Sequence, residues 1–531
     1  LRNLTVIQNT IDMVKENHGI DVEFDHDMSD PKVYKLWQDG NTSGIFQFES
    51  QGMTNFMKEL KPDCLEDLIA GVSLYRPGPM DQIPRYIRGK QNPGHNEYTH
   101  PSLEPILNVT YGCMVYQEQV MQIVRDLAGY SLGRADLVRR AMGKKKLDVM
   151  AKEREVFIHG QVDEEGNVVV PGCVRNGIDE ASANKIFDEM AEFAKYAFNK
   201  SHAACYAVVS YRTAYLKAYY PAEFMAATLN SYLGNLDKAP QYIDECKRLG
   251  IQILKPDINK SFEKFTVEVG KKNSIDVESK IKSNSKNDIE TDGVGKIRFG
   301  LGAIKNVGTT PVENIVAERQ ENGEYKSFTD FCDRIADTQV NKKCVESLIK
   351  AGVFDEFEQT RATLLASFET IMDTIQSGKK KGLNGQVSMF DIGTEQEKEE
   401  MEKQKYQFVE HPEMPEKELL SMEKEMLGIY ISGHPLEKLR EQIMHSTNIN
   451  SMDLVQISEQ NLTNNDNSAN GDEMSNVQAR NSKPKFVDGQ IVKYAGIITS
   501  IKKKYTKNNK IMAFITIEDL YGTAEVLAFE N

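Results

Sequence analysis

Residues 129–146 read GYSLGRADLVRRAMGKKK, and residues 133–146 carry six basic side chains against one acid, Asp136. The local net charge is therefore six minus one, or +5, in a chain whose total is −14. Such an excess suits a surface that meets a polyanion, either nucleic acid or a triphosphate. Lysines beyond a helix end also neutralise its free carbonyl groups, so charge alone leaves both interpretations open. The basic residues are Arg134, Arg139, Arg140, Lys144, Lys145 and Lys146.

Two further stretches combine cations with aromatic rings. FNKSHA places Asn199, Lys200 and His202 directly after a phenylalanine. YRPGP, at residues 75–79, presents Arg76 on a backbone stiffened by two prolines, which could position a phosphate or a base pair. Pro-Gly-Pro also simply makes turns, so this second signal is weak by itself.

The pattern of apolar residues predicts a mainly helical first part. Residues 116–128 and 134–142 each read as a helix ended by glycine, and residues 202–220 as a long helix ended by Pro221. Tyr211, Tyr215 and Tyr219 recur every four residues, a stripe that is more typical of helix packing than of binding.

Residues 301–316, LGAIKNVGTTPVENIV, have the form of a helix-hairpin-helix with its turn at residues 306–308. Such a turn offers backbone N–H groups and a helix N-terminus to phosphate, which makes Lys305, Asn306 and Gly308 candidate DNA contacts. Asn306 stands where many such motifs have glycine, and asparagine tolerates left-handed backbone. An ordinary helical turn is the alternative. Residues 341–355 predict a packed partner helix followed by a glycine turn.

Two polar stretches, residues 269–295 and 457–487, read as insertions that form no core. After Gly489 the pattern alternates and predicts three strands joined by a lysine-rich turn over residues 502–510. Lys502, Lys503 and Lys504 begin that turn and are the candidate DNA contacts of this unit. They belong to a second basic patch that also includes Lys493, Lys507 and Lys510. Three strands cannot close a barrel, so this unit would be truncated or completed elsewhere.

A short apolar peptide, QVSMF at residues 386–390, lies between polar flanks. Gln386 followed by Met389 and Phe390 is a pattern by which peptides dock into apolar pockets, although a chance apolar pair is the alternative. Asp25 and Asp27 are spaced to hold Mg²⁺, but their polar loop favours caps and turns.

Composition excludes several classes of protein. The seven cysteines contain no C-x-x-C, which argues against a zinc ribbon or a disulfide framework and fits a reducing cytoplasm. No apolar run approaches the ~20 residues that cross a bilayer. The chain lacks an initiator Met and ends within a strand pattern, so we expect a fragment.

Five stretches together closely resemble the bacterial DNA polymerase III alpha subunit, the C-family replicative polymerase. They are SGIFQFES (43–50), SLYRPGPMDQIPRYI (73–87), YGCMVYQEQVMQI (111–123), GYSLGRADLVRRAMGKKK (129–146) and FAKYAFNKSHAACYAVVSYRTAYLKAYYPAEFMA (193–226).

The resemblance implies a multidomain, mainly α chain with a C-terminal β unit. It places the end of the palm at 1–20, the fingers at 21–235 and helix-hairpin-helix elements at 236–376. A clamp-binding peptide with an acidic connector would follow at 377–456, a disordered insertion at 457–487 and the start of an OB fold at 488–531.

The implied activity is template-directed DNA synthesis, with primer–template DNA, deoxynucleoside triphosphates, the sliding clamp and other holoenzyme subunits as partners. Arg76, the two arginines 139 and 140, the three lysines and the FNKSHA cluster would bind nucleotide and DNA. Mg²⁺ would be held by three palm aspartates, none of which matches a position here. The alternative is a DNA- and clamp-binding adaptor without catalysis.

Overall fold

The computed structural model describes residues 1–76, 79–143, 147–193, 197–233, 238–269, 295–382, 408–451, 453–454, 489–505 and 510–530. Lys144, Lys145 and Lys146 lie outside the described residues, as do the peptide at 386–390 and the segment 457–487. The chain divides into two compact units, Leu1–Phe224 and Met225–Asn531.

The described residues of the first unit form helices apart from one small hairpin, and the unit boundary falls within the helix α13. Its elements are α1 (Arg2–His18), α2 (Pro31–Gln38), α3 (Gln51–Leu60), α4 (Leu65–Leu74), α5 (Ile83–Gln91), α6 (Glu104–Leu107), α7 (Gln117–Ala128), α8 (Leu132–Gly143), α9 (Leu147–His159), β1 (Gln161–Val162), β2 (Val168–Val170), α10 (Gly172–Arg175), α11 (Glu180–Phe193), α12 (Lys200–Tyr219) and α13 (Pro221–Asn230).

The three helices expected from the apolar pattern are confirmed as α7, α8 and α12. Helix α7 ends at Gly129, whose φ of 77° lies in the left-handed region that glycine adopts without strain. Helix α12 begins at Lys200 rather than at His202, because the Asn199 side chain accepts the His202 amide and caps the first turn.

Two clusters of buried side chains hold this unit together. Trp37, Tyr34 and Tyr211 are fully buried in the first, where α12 packs against α2 and α4. Tyr215 and Tyr219 pack partly buried against the same cluster, so the tyrosine stripe serves packing, as predicted. The second cluster joins α7, α8, α9 and α11.

In its described residues, the second unit combines helices of 7 to 22 residues with two three-stranded sheets. Its further elements are α14 (Ala239–Arg248), β3 (Ile253–Leu254), β4 (Thr266–Glu268), β5 (Lys296–Arg298), α15 (Thr309–Asn322), α16 (Phe328–Ile335), α17 (Lys342–Lys350), α18 (Arg361–Gly382), α19 (Glu416–Leu427), α20 (Arg440–Ser446), β6 (Ile497–Tyr505), β7 (Ile511–Glu518) and β8 (Thr523–Phe529).

Aromatic packing forms part of the core of the helical block in this unit. The Phe354 ring lies 5.1 Å from that of Phe328 and 4.9 Å from that of Phe331, both from α16. Phe354 follows the glycine turn predicted after α17, where Gly352 has a φ of 77°. The packed partner helix expected at residues 341–355 is therefore present.

The two sheets differ in topology. In the first, β5 lies between β3 and β4, parallel to β3 and antiparallel to β4. In the second, β6, β7 and β8 form an antiparallel meander. The mainly helical architecture with a C-terminal β unit is thus as predicted.

One strand boundary was predicted wrongly. Lys502, Lys503 and Lys504 lie in β6, which continues to Tyr505, and not in the turn. These lysines pair with residues 512–514 of β7, which are apolar. The pairing extends β6 beyond the residue at which its own apolar pattern stops, and this explains why the strand is longer than predicted. Among the described residues, no helix is long and apolar enough to cross a membrane.

Candidate nucleotide and nucleic-acid interface

The start of α7 is tied to the segment before α12. Tyr116 and Phe198 form an isolated parallel bridge, and the Gln117 amide donates to the Phe198 carbonyl at 2.8 Å. The Gln117 side chain also donates to the Ala197 carbonyl at 2.9 Å. These bonds place the FNKSHA segment beside the first turn of α7.

Glu118 anchors the N-terminus of α12. Its carboxylate accepts the Asn199 side-chain amide at 2.8 Å and the Lys200 backbone amide at 3.0 Å. Asn199 in turn accepts the His202 amide at 2.8 Å. Free amides of a first helical turn are thereby satisfied by side chains. Asn199, predicted to bind ligand, therefore serves as a helix cap.

Lys200 points to an acidic and aromatic neighbourhood. Its Nζ lies 3.0 Å from a carboxylate oxygen of Glu66 and 5.3 Å from the centre of the Tyr116 ring. The charge of Lys200 is thus partly neutralised by an ion pair.

Arg76 places two guanidinium nitrogens without a partner beside the same segment. Its Cζ lies 3.6 Å from the centre of the Phe198 ring, a cation–π distance. Its Nε and Nη2 are buried and have no hydrogen-bond partner among the residues that the structure describes. Burial lowers the pKa of Arg76. Because unsatisfied buried donors are costly, these two N–H groups are suited to donate hydrogen bonds to an anion.

Arg139 and Arg140 of α8 converge on one carboxylate. Arg139 donates from Nε at 3.1 Å and Nη2 at 2.7 Å to one oxygen of Asp136, and Arg140 Nη2 lies 2.8 Å from the other. Arg139 Nη1 also donates to the Gln117 side chain at 2.9 Å. Gln117 therefore connects α8 to the segment before α12.

His202 is exposed and belongs to a row of aromatic rings. Its ring centre lies 5.4 Å from that of Phe198 and 4.4 Å from that of Tyr206. Tyr206 lies 5.1 Å from Phe46. An exposed imidazole supported by neighbouring rings can contact the face of a base.

The structure thus brings Arg76, Asn199, Lys200 and His202 together around Phe198, and joins Arg139 to them through Gln117. Gln117, Glu118 and Phe198 also belong to this group, although their residue types did not predict it. Glu118 could have been predicted to take part, because an acidic residue in the first turn of a helix often interacts with nearby N–H groups.

The helix-hairpin-helix turn has the expected geometry. Asn306 adopts left-handed backbone with a φ of 64°, and Gly308 caps α15. The first helix is reduced to a 3₁₀ turn at Leu301–Ala303. Lys305 and Asn306 are exposed, but the Lys305 amide donates to the Met426 carbonyl at 3.0 Å. The turn therefore faces solvent with one of its amides already used.

The lysines of β6 are divided between the two faces of the sheet. Consecutive strand residues point to opposite faces, so Lys502 and Lys504 share one face and Lys503 lies on the other. The Lys504 Nζ lies 4.9 Å from the centre of the Phe514 ring of β7. A single-face patch can therefore include two of the three lysines.

The carboxylate clusters of the described residues do not fit Mg²⁺. Asp25 accepts the Asp27, Ser29 and Asp30 amides and the Tyr211 hydroxyl, so its oxygens organise a turn, as predicted. Burial raises the pKa of Asp25, but these hydrogen bonds outweigh it and leave the pKa below its usual value.

A second cluster comprises Asp63, Cys64 and Asp67. The Lys90 Nζ lies between its two carboxylates, 2.8 Å from Asp63 and in direct contact with Asp67. The ammonium group takes the place that a cation would need.

Comparison with known proteins decides the family. The family of the bacterial DNA polymerase III alpha subunit finger domain matches residues 3–165, and a helix-hairpin-helix motif family matches residues 250–364. The DNA polymerase III subunit alpha of Borreliella burgdorferi is 38% identical over the whole chain, which covers 40% of that relative. The subunit from Thermus aquaticus is 39% identical, with all of this chain and 38% of the relative covered. The chain belongs to the DNA polymerase III alpha-subunit family.

The chain spans about two fifths of the length of the curated relatives it matches. The finger-domain match includes Arg76, Arg139 and Arg140, while Asn199, Lys200 and His202 lie beyond its last residue. The helix-hairpin-helix match includes Lys305, Asn306 and Gly308.

Proposed function

We propose that this chain supplies nucleotide and DNA binding for template-directed DNA synthesis in bacterial chromosome replication, within the polymerase subunit of the DNA polymerase III holoenzyme. The observation that carries the proposal is the Arg76 guanidinium, whose Nε and Nη2 are buried without a partner among the described residues. It lies on Phe198, which bridges to the start of α7, where Gln117 holds Arg139. One segment therefore gathers donors for an anion.

Within this proposal the arginines of α8 bind the triphosphate of the incoming nucleotide. Arg139 and Arg140 present guanidinium forks, whose planar donors match phosphate oxygens. Lys144, Lys145 and Lys146 would contact nearby anionic backbone. His202, on its row of rings, would position the nucleotide or a template base by stacking.

The second unit would bind the DNA backbone at two places. The exposed turn at Lys305, Asn306 and Gly308 offers amides and a helix N-terminus to phosphate. Lys502 and Lys504 on one face of β6 add positive charge, and Lys503 would serve only DNA that reaches the other face.

The clamp-binding assignment rests on sequence. Gln386, Met389 and Phe390 would dock into an apolar pocket of the sliding clamp, the beta subunit. Other holoenzyme subunits would bind elsewhere on the alpha subunit.

The Mg²⁺-binding aspartates of the intact enzyme would lie outside this chain. Asp25 and the Asp63–Asp67 pair are engaged by amides, a hydroxyl and Lys90, which supports this placement. The chain by itself would then bind nucleotide and DNA without polymerising.

The test is binding of a fluorescent deoxynucleoside triphosphate and of fluorescent primer–template DNA to this chain, by anisotropy across a salt series. The double variant Arg139→Gln, Arg140→Gln should weaken nucleotide binding by at least about tenfold, since it removes two charge-assisted contacts. Arg125→Gln is the matched control, because Arg125 is a partly exposed arginine of α7 paired with Asp126.

Equal nucleotide affinity in the double variant and the control would refute the nucleotide-binding assignment. DNA binding with no nucleotide binding at all would favour the adaptor function. For DNA, the log–log slope should be near −0.9 per phosphate neutralised, and Lys502→Glu with Lys504→Glu should flatten it.

A further inference from the structure

Asp136 occupies both arginine forks of α8 at once. One of its oxygens accepts two N–H groups of Arg139, at 3.1 and 2.7 Å, and the other lies 2.8 Å from Arg140 Nη2. A carboxylate and a phosphate present similar oxygen geometry to guanidinium groups. Asp136 therefore stands where a phosphate of the proposed nucleotide would bind.

The three side chains remain accessible to a ligand. The side chain of Asp136 is 28% exposed, that of Arg139 is 22% exposed and that of Arg140 is 62% exposed. Hydrogen bonds from Arg139 hold the pKa of Asp136 below its usual value. The carboxylate is thus charged at neutral pH and competes with other anions there.

Arg139 has a second support that does not involve Asp136. Its Nη1 donates to the Gln117 side chain at 2.9 Å, and Gln117 is itself held by the Ala197 and Phe198 carbonyls. Loss of the Asp136 charge should therefore free donors of Arg139 while its guanidinium stays in place. If Asp136 instead oriented Arg139 for the ligand, loss of its charge would weaken ligand binding.

We infer that Asp136 is an internal competitor that a triphosphate must displace from Arg139 and Arg140, so that it sets the affinity of this site for nucleotide. This inference rests on the proposed function. It makes Asp136 a residue that tunes selectivity, because ligands with fewer phosphate oxygens replace the carboxylate less effectively than a triphosphate does.

The test is isothermal titration of the chain with inorganic tripolyphosphate in a phosphate-free chloride buffer. Asp136→Asn should bind tripolyphosphate roughly two- to tenfold more tightly than the unchanged chain, the range expected for releasing partly exposed ion pairs. Asp126→Asn is the matched control, because it removes the same charge from an aspartate paired with Arg125 on α7. Asp136→Ser leaves no side-chain amide between Arg139 and Arg140, and it should also bind tripolyphosphate more tightly than the unchanged chain does.

The inference would be overturned if Asp136→Asn and Asp136→Ser bind tripolyphosphate no more tightly than Asp126→Asn does, while Arg139→Gln with Arg140→Gln still weakens binding. That pattern would leave the proposed function intact. If tripolyphosphate binding is insensitive to the two arginines, the proposed function fails, and the inference fails with it. Circular dichroism of each variant confirms that the helical fold is retained.

Discussion

The attachment of α12 to α7 can be tested by replacing a single atom. Glu118→Gln keeps the shape of the side chain but removes its charge and turns one acceptor into a donor. In the native chain both carboxylate oxygens face the Lys200 amide, at 3.1 and 3.0 Å, and one also accepts from Asn199 at 2.8 Å. The variant retains at most one acceptor for these donors.

The structure sets the size of the effect. A hydrogen bond to a charged group contributes about 1.5–3 kcal/mol, and solvent reduces this value at a half-buried site such as Glu118. Loss of a negative charge near the N-terminus of α12 costs a further few tenths of a kcal/mol or more. We expect the free energy needed to open the first turn of α12 to fall by about 1.5 kcal/mol, which raises its open population roughly tenfold.

Amide hydrogen exchange followed by mass spectrometry measures this opening directly. Peptides that cover residues 197–210 should exchange roughly tenfold faster in Glu118→Gln, while peptides from α15 should not change. Glu164→Gln is the control, since Glu164 is exposed at the tip of the β1–β2 hairpin. Exchange of residues 197–210 that is the same in both variants would refute the anchoring role of Glu118.

The cysteines, the hairpin turn and the lysines of β6 each give a measurable outcome. Iodoacetamide at pH 7.5 should label the exposed Cys205 before the buried cysteines. Burial raises the pKa of Cys113 to about 11 and that of Cys173 to about 12, so these thiols react slowly. Peptide mapping that finds a buried cysteine labelled first would contradict this. Asn306→Ala should speed amide exchange of the hairpin turn severalfold, because alanine at a φ of 64° destabilises the turn by about 1 kcal/mol. Asn306→Gly should not speed exchange, because glycine adopts this backbone without strain. Equal exchange in both variants would show that the left-handed backbone does not limit the stability of the turn. If DNA contacts only the face of β6 that carries Lys502 and Lys504, Lys502→Glu with Lys504→Glu should reduce the log–log slope of DNA affinity against salt by up to about two. Lys503→Glu should leave this slope unchanged. An equal reduction from Lys503→Glu would exclude contact through a single face.

Local signals in the sequence were sufficient for much of the fold. Gly129 ends α7, Pro221 ends the run of α12, and Asn306 takes left-handed backbone, each for reasons carried by that one residue. The extent of β6 could not be predicted in the same way. Lys502 to Lys504 look like turn residues until their partners on β7 are known, and pairing between strands is not a local property.

The candidate site was predicted as a set of cations, and its connections were not. Charge marked Arg139, Arg140 and Lys200. The partner acid of the two arginines, Asp136, lies within about one helical turn of them, but the partner of Lys200 is Glu66, far away in the sequence. The role of Gln117 depends on a contact with Ala197, eighty residues later in the chain. The pattern of charges predicts which groups can bind an anion, whereas the fold decides which of them are already occupied.

The register of the β3–β5–β4 sheet bears on how this chain tolerates changes in length. Glu268 at the end of β4 pairs with Lys296 at the start of β5, so the two ends of the connection between these strands are neighbours in the sheet. Closing a longer loop between such points costs only about 0.6 kcal/mol for each doubling of its length. Related chains could therefore gain or lose residues here with little effect on the sheet, and this position is a suitable place to insert a tag or a fluorescent label.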